Sequence, residues 1–260
     1  MRLPTGATPM EPTLAWLPDG SPYNPLYGDV YRTRAGALAQ ARSVFLGGCG
    51  LPMGWEDRPA CRILETGFGL GLNFLVSWAA WQADARRSQR LHFVSLEAHP
   101  VGEADLLQGA RALQAGDTED AALLPRVQLL AEELARAWRE RHPGLQHWDF
   151  DGGRVRLSLG LGDVQDMLPL LPGPADAVYL DGFSPARNPA MWTPEVIQGV
   201  AGLCRPGTRL ASWCVAGAVR TRLRQAGFEL RKVPGLPPKW HRLEGRYLGP
   251  AAFRPGNAGA

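Results

Sequence analysis

Three glycines in a strand-to-helix turn have the spacing of a ligand-binding loop. Gly67, Gly69 and Gly71 follow an apolar strand and precede an apolar helix that the sequence predicts over residues 72–81. Glycine lacks a Cβ atom, so it permits positive φ and lets a ligand approach the main chain closely. A dinucleotide fingerprint would need its third glycine where this chain has Leu72, and the GK[ST] of a P-loop is absent. The loop therefore favours a different nucleoside ligand, or a tight turn without one.

Each of three predicted strands carries a carboxylate at or just past its end. Glu65 precedes the glycines, Glu97 ends a strand predicted over residues 91–96, and Asp163 follows one predicted over residues 155–159. The carboxyl ends of parallel strands meet at one sheet edge, where such sheets bind ligands. Carboxylates there can accept hydrogen bonds from a ligand. Each acid alone could instead be a helix cap or a solvated loop residue.

The glycine loop with its preceding acid resembles the first motif of S-adenosylmethionine-dependent methyltransferases. That cofactor has no pyrophosphate, but it carries an ammonium, a ribose and an adenine. The resemblance therefore implies that Glu65 faces the ammonium, Glu97 accepts the two ribose hydroxyls, and Asp163 accepts from the adenine amine. We therefore expect S-adenosyl-L-methionine as the cofactor, held at the sheet edge.

A second segment carries a more specific resemblance. An apolar strand predicted over residues 177–180 delivers Asp181 to the same edge, and the loop DGFSPARNPAMWTPEV begins there. This segment resembles the methyltransferase domain of the bifunctional tRNA-modifying MnmC proteins and their single-domain MnmD relatives. The GDVY motif at Gly28, the ARSVFLGG motif at Ala41 and the ETGFGLGLNFL loop resemble the same family. The resemblance spans roughly residues 23–233.

The resemblance implies a reaction and a fold. The reaction is methylation of the aminomethyl group at C5 of the tRNA wobble uridine, giving 5-methylaminomethyl-(2-thio)uridine. The fold is α/β and Rossmann-like, of the class I S-adenosylmethionine-dependent methyltransferases: a mainly parallel sheet with helices on both faces, an N-terminal extension and a helical insertion. MnmC proteins add an FAD-dependent oxidase domain. Since the 260 residues hold no second glycine-rich dinucleotide motif, we expect no FAD.

The resemblance also assigns roles to residues. Asp181 and Phe183 form the catalytic pair: Asp181 orients the acceptor amine, and Phe183 walls the pocket or stacks on the uracil, unless it is ordinary core. The expected cofactor-binding residues are Tyr31, Glu65, Gly67, Phe68, Gly69, Gly71, Asn73, Glu97, Asp163 and Asp181. The expected substrate-binding residues are Asp29, Arg187, Asn188, Lys239, His241 and Arg242. The segment over residues 235–242 departs from the family pattern, which leaves its contacts with tRNA open.

Two rival functions share much of this evidence. One is a methyltransferase acting on a different amine acceptor, and the other is a non-catalytic module that binds tRNA or a nucleotide. The segment from Asp181 to Trp192 argues against the first, and the full set of four acids argues against the second.

Composition excludes several other classes. The chain is 45% hydrophobic and 20% charged, with a net charge of +3. No window approaches the roughly 18 apolar residues of a membrane helix, and the N-terminus lacks a signal-peptide core. The four cysteines show no metal-ligand spacing, so we expect reduced thiols, no metal and a cytoplasmic location. The oligomeric state is open, with a monomer favoured.

These residues require alternating strands and helices to position them. We expect an N-terminal extension over residues 1–61, one methyltransferase domain over residues 62–250 and a tail over residues 251–260. The first 25 residues are predicted to be an irregular arm, and residues 254–260 to be frayed. Predicted helices cover residues 35–46, much of 101–148, 164–171, 193–203 and 219–226. Further predicted strands cover residues 210–215, 228–233 and 246–248.

Overall fold

A computed structural model describes residues 14–32, 36–237 and 239–250, and it is built on two sheets. A small sheet contains β1 (Ala15–Trp16), β2 (Pro22–Asn24) and β3 (Asp29–Val30). The large sheet contains β4 (Cys61–Thr66), β5 (Leu91–Glu97), β6 (Gly144–Phe150), β7 (Val155–Leu161), β8 (Ala175–Leu180), β9 (Cys204–Ser212), β10 (Phe228–Pro234) and β11 (His241–Tyr247). Its strand order is β10-β11-β9-β8-β4-β5-β7-β6.

The helices alternate with these strands. They are α1 (Ala37–Gln40), α2 (Leu72–Ala83), α3 (Glu103–Arg111), α4 (Thr118–Trp138), α5 (Val164–Met167), α6 (Pro194–Gly202) and α7 (Gly217–Gln225). A π-helical segment, Ala41–Leu46, continues α1. Short 3-10 turns cover Asp151–Gly153, Leu168–Leu170 and Pro189–Trp192.

The strand order reverses direction at β4. The chain runs from β4 through β5 to β7 on one side, then returns to β8 and β9 on the other. Strands β4, β5, β7, β8 and β9 are parallel, so their carboxyl ends share one edge. A crevice forms where adjacent strands lead away in opposite directions, here beyond the ends of β4 and β8. The predicted α/β fold with a mainly parallel sheet is confirmed.

Alternate residues along the central strands pack against helices on opposite faces. Ile63 and Phe93 join one apolar cluster, which includes residues of α2 and α4. Their neighbours Leu64 and Val94 join the other, which includes residues of α5, α6 and α7. Both faces are therefore buried, which explains why the strands are apolar throughout rather than alternating in polarity.

One strand was predicted as helix. The end of the 101–148 stretch forms β6, which pairs antiparallel with β7 at the sheet edge. Gln146 and Phe150 are buried and Trp148 is half-buried, while the intervening His147 and Asp149 are exposed. This period of two belongs to a strand, and the leucine spacing of the preceding helix hid it.

Other boundaries also differ from prediction. The supposedly irregular arm contains β1 and β2, with Ala15 opposite Tyr23 in register. The helix predicted from residue 35 begins at Ala37, and residue 35 itself lies outside the described residues, as do residues 254–260. The strand predicted over residues 210–215 is β9, which begins earlier, at Cys204, and stops at Ser212. The last strand begins at His241 because it pairs with β10 along seven residues.

Side chains of the N-terminal segment tie it to α3 and α4. The Arg42 Nε atom donates to Asp120 Oδ1 at 3.0 Å, and the same guanidinium bonds Asp117 and Glu119. The Trp16 indole donates to Asp105 Oδ1 at 3.1 Å. These contacts seat the small sheet above the crevice.

The described residues contain no helix both long and apolar enough to cross a membrane. All four cysteines are free thiols. Among the same residues, no group of three or more His, Cys, Asp or Glu could hold a metal ion.

Candidate active site

A cavity of about 390 Å³ opens at the carboxyl edge of the sheet, beyond β4 and β8. Its floor is the glycine loop, one wall is the segment after β8, and its roof is the small N-terminal sheet. This volume lies in the range of small-molecule and cofactor sites, roughly 300–1,000 Å³.

The structure brings most of the predicted site residues to this cavity. Those lining it are Asp29, Tyr31, Gly67, Phe68, Gly69, Asn73, Glu97, Asp181, Phe183, Asn188 and Lys239. Those not lining it are Glu65, Gly71, Asp163, Arg187, His241 and Arg242.

Positive φ angles in the glycine loop serve two different contacts. Gly69 has φ +54°, and a Cβ there would lie 3.2 Å from the Tyr31 ring, so glycine lets the roof approach the floor. Gly71 has φ +73°, and a Cβ there would lie 3.1 Å from Leu134 of α4. Gly71 therefore allows close helix packing behind the cavity, and this accounts for its position away from the lining.

Glu97 holds the glycine loop in place. The Gly69 amide donates to its Oε2 atom at 2.8 Å, and the His99 amide donates to Oε1 at 2.9 Å. An ionised carboxylate has about four acceptor sites, so two remain after these bonds. Glu97 can thus accept hydroxyl groups of a ligand while keeping the loop fixed.

A buried hydrogen-bond chain lies behind the cavity wall. The Asn73 side-chain nitrogen donates to Glu65 Oε1 at 2.9 Å and to Asp181 Oδ2 at 3.0 Å, and Ser95 donates to Glu65 Oε2 at 2.7 Å. Burial raises the pKa of the Glu65 carboxyl well above its usual range. Glu65 was expected at a ligand ammonium, but the structure places it behind Asn73. Since both N–H groups of Asn73 are used, only its Oδ1 atom remains to accept a bond.

Asp181 combines a raised pKa with an ordered carboxylate. Burial raises the pKa to about 6, against the opposing effects of the Gly182 amide, the Lys239 ammonium and the Asn73 amide. The Gly182 amide donates to Oδ1 at 2.8 Å, and Thr66 Oγ1 donates to the Asp181 main-chain carbonyl at 2.7 Å. The carboxylate is therefore fixed in direction, and its pKa lies near neutral pH. A group that exchanges protons during catalysis works best when its pKa is near the working pH.

Aromatic rings form a cluster beside Asp181. The Phe183 ring centre lies 4.9 Å from that of Tyr27 and 5.0 Å from that of Tyr31. The Tyr27 hydroxyl and His99 Nε2 are 3.1 Å apart, and Asn24 donates to the Tyr31 hydroxyl at 2.9 Å. Sequence reasoning missed Tyr27 and His99. Their signal was position, because Tyr27 precedes the GDVY motif and His99 follows Glu97 by two residues.

Several predicted residues have structural partners outside the cavity. Asp163 is exposed and caps α5, accepting from the Gln165 amide at 2.8 Å. The Arg187 guanidinium packs against the backbone of Gly28. Arg242 is bonded to Glu244 at 2.9 Å. His241 is exposed at the start of β11.

The chemistry of the lining matches a nucleoside that carries an amino-acid tail. Glu97 offers acceptors for ribose hydroxyls, the glycine loop offers close main-chain approach, and Asn73 Oδ1 offers an acceptor for a cationic group. The residues therefore fit S-adenosyl-L-methionine.

Comparisons with known proteins give the chain relatives and structural neighbours. A family model described as S-adenosyl-L-methionine-dependent methyltransferase matches residues 125–247. The chain is 51% identical over 235 residues, 90% of its length, to the tRNA 5-methylaminomethyl-2-thiouridine biosynthesis bifunctional protein MnmC of Delftia acidovorans. It is 49% identical over 253 residues, 97% of its length, to the protein of that name from Cupriavidus necator. It covers 35% and 36% of these two proteins, about a third of each.

A solved structure shares the fold. The crystal structure of MNMC2 from Aquifex aeolicus superposes with a TM-score of 0.68 at 22% identity, covering 92% of this chain and 71% of the other.

Proposed function

This chain belongs to the family of S-adenosyl-L-methionine-dependent methyltransferases that includes the methyltransferase part of MnmC, and on that premise we propose its reaction. It methylates the aminomethyl group at C5 of the tRNA wobble uridine, giving 5-methylaminomethyl-(2-thio)uridine. The names of the relatives support this substrate, and the cavity supports amine chemistry.

The cofactor residues follow from the cavity lining. S-adenosyl-L-methionine, when bound, supplies a methyl group on a positively charged sulfonium. Glu97 would accept the ribose hydroxyls, and the glycine loop would lie against the nucleoside. Asn73 Oδ1 is the acceptor for a tail ammonium in place of Glu65, which is buried behind it. Asp163 keeps its expected adenine contact only if its cap of α5 leaves one oxygen free.

Asp181 is the residue that handles the acceptor amine. With its pKa raised to about 6 by burial, the carboxylate is mostly ionised at pH 7. It accepts a hydrogen bond from the amine, points the nitrogen lone pair into the cavity, and stabilises the positive charge that develops on that nitrogen. Asn73 and the Gly182 amide fix its direction, so little reorientation is needed during the reaction.

The uracil stacks on the aromatic cluster. Phe183 lies between Tyr27 and Tyr31 next to Asp181, and flipped bases are commonly held by aromatic faces. The exocyclic aminomethyl group would then reach Asp181. This substrate implies a tRNA partner and a cytoplasmic reaction. The 260 residues contain one glycine-rich nucleotide loop, so we expect the purified chain to bind no flavin and show no flavin absorption.

The observation that carries the proposal is the placement of Asp181. Its carboxylate accepts a hydrogen bond from Asn73 and lies beside the aromatic cluster. The test is incubation with cofactor labelled in its methyl group and tRNA from a strain lacking this modification, followed by mass analysis of the nucleosides. We expect labelled 5-methylaminomethyl-(2-thio)uridine. Label in another amine would reassign the acceptor, and cofactor binding without transfer to any acceptor would indicate a binding module.

A further inference from the structure

Trp240 differs from the buried tryptophans of this protein. It lies in the loop between β10 and β11, and 87% of its surface is exposed. Five other tryptophans are fully buried: Trp55, Trp78, Trp81, Trp138 and Trp192. Within the described residues, the indole of Trp240 has no hydrogen-bond or ring partner. An exposed side chain of this size contributes little to the core, and tryptophan is enriched at interfaces.

Two main-chain hydrogen bonds join described residues of the loop that presents Trp240. The Gly235 amide donates to the Trp240 carbonyl at 2.9 Å, and the Lys239 amide donates to the Leu236 carbonyl at 2.8 Å. A Cβ at Gly235 would lie 2.4 Å from the Lys239 carbonyl oxygen, so the turn requires glycine. The indole is thus held out from the surface by a closed turn.

This turn lies at the mouth of the cavity. Lys239, the preceding residue, lines the cavity, and its Nζ atom lies 5.1 Å from the ring centre of Trp213, another lining residue. A nucleotide adjacent to one held in the cavity would therefore pass close to Trp240.

The hairpin around the turn is positively charged. Residues 228–247 contain five Lys or Arg and two Asp or Glu, a net charge of +3 that equals the charge of the whole chain. Basic charge beside an exposed aromatic face is the combination that binds single-stranded nucleic acid, where the cations contact phosphates and the ring stacks on a base.

We propose that Trp240 stacks on an unpaired base next to the target nucleotide in the anticodon loop. This inference rests on the proposed function and adds a contact to it. Sequence-specific RNA recognition mostly uses single-stranded loops whose bases stack on aromatic side chains. The ligand at Trp240 is therefore an RNA base, rather than a protein or a lipid.

The test measures binding of an unmodified anticodon stem–loop RNA by fluorescence anisotropy, without cofactor. Base–aromatic stacking is worth about 1–3 kcal/mol by alanine substitution, so Trp240→Ala should weaken the Kd about 5- to 150-fold. Trp240→Phe keeps a ring and should stay within about threefold of wild type. The slope of log K against log salt should not change in Trp240→Ala, since stacking releases no counterions.

Met53→Ala is the matched control, because Met53 is 76% exposed but does not line the cavity. It should leave RNA binding unchanged, and calorimetry should show normal cofactor binding in all variants. Wild-type affinity in Trp240→Ala, or no RNA binding by the wild-type chain, would overturn the inference. If wild type and Trp240→Ala methylate and bind RNA equally, the proposed function stands and this contact falls. If RNA binding depends on Trp240 but no methyl transfer to tRNA occurs, the Trp240 contact stands and the proposed function falls.

Discussion

Asp181 gives the site a dependence on pH. Its pKa is raised to about 6 by burial, and the proposed role needs the ionised form. Activity should therefore fall as the pH decreases through about 6 and be retained above it. Asp181→Ala should lower kcat about 10²- to 10⁴-fold, the usual contribution of a positioned acid–base group.

Cofactor affinity separates this role from ligand binding. Glu97 and the glycine loop remain intact in Asp181→Ala, so calorimetry should show nearly unchanged S-adenosyl-L-methionine binding. Near-normal turnover with lost cofactor affinity would instead make Asp181 a cofactor ligand.

Asn73 should affect the pKa of Asp181 through the hydrogen bond between them. Its hydrogen bond lowers the pKa of the Asp181 carboxyl, so Asn73→Ala should move the acid limb of the pH–rate profile to higher pH. Loss of a bond to a charged group should also reduce kcat about 10-fold at neutral pH.

Ser95→Ala is the control for that change. Ser95 donates to the other oxygen of Glu65 and does not touch Asp181, so the variant should perturb the buried chain while leaving the acid limb in place. An equal shift of the limb in both variants would indicate a general loss of structure.

The residue types predicted the location of the site better than they predicted the role of each residue in it. An acid just past a strand can be a ligand residue or a helix cap, because both sit at the start of the next helix. Asp163 has the cap bond, which no spacing rule could have distinguished. Glu65 was expected to face the ligand, yet the pairing of β4 with its neighbours turns its side chain into the interior. The link through Asn73 depends on residues 108 positions apart, so it is visible only in three dimensions.

At the scale of elements, the glycine loop requires glycine for two separable reasons. Gly69 combines φ +54° with a Cβ position 3.2 Å from Tyr31. Gly69→Ala should therefore cost about 1–2 kcal/mol of unfolding free energy and lower cofactor affinity about 10-fold, as measured by urea denaturation and calorimetry.

Gly202, the last residue of α6, provides the comparison. Its backbone does not require positive φ, and a Cβ there would meet nothing within 4 Å. Gly202→Ala should raise the unfolding free energy by about 0.4–1 kcal/mol and leave cofactor affinity unchanged. A similar loss in both variants would mean that the chain does not tolerate alanine at either glycine.

The local sequence pattern predicted helices and strands well where a single hydrophobic period dominated a segment. The apolar strands and the Thr193 cap followed by Pro194 were readable because each signal lies within a few residues, and Thr193 does accept from the Val196 amide. β6 was not readable, since its alternation covers seven residues directly after a long helix. The short strands β1 and β2 were missed because two or three residues carry no period.

At the scale of the whole molecule, Arg42 joins the N-terminal segment to the helical insertion. Its partner Asp120 is fully buried. Arg42→Ala leaves that carboxylate without its cation, so the unfolding free energy should fall by about 2 kcal/mol, as measured by urea denaturation.

An exposed ion pair supplies the contrast. The side chains of Arg156 and Asp149 are 52% and 45% exposed, so Arg156→Ala should cost less than about 1 kcal/mol. Equal losses in the two variants would show that burial of Asp120 is not what makes the Arg42 contact strong.

The contact between Asp29 and Ser184 sets the earliest point at which the cavity can form during synthesis. The Ser184 hydroxyl lies 3.4 Å from Asp29 Oδ2, and the two residues are 155 positions apart. Ribosomes add about 5–20 residues per second, so the N-terminal sheet waits roughly 8–30 s for this wall to emerge. During that interval the rings of Tyr27 and Tyr31 lack their contacts with Phe183. The nascent chain thus acquires its ligand site late, after Ser184 and the later lining residues Trp213 and Lys239 have been made.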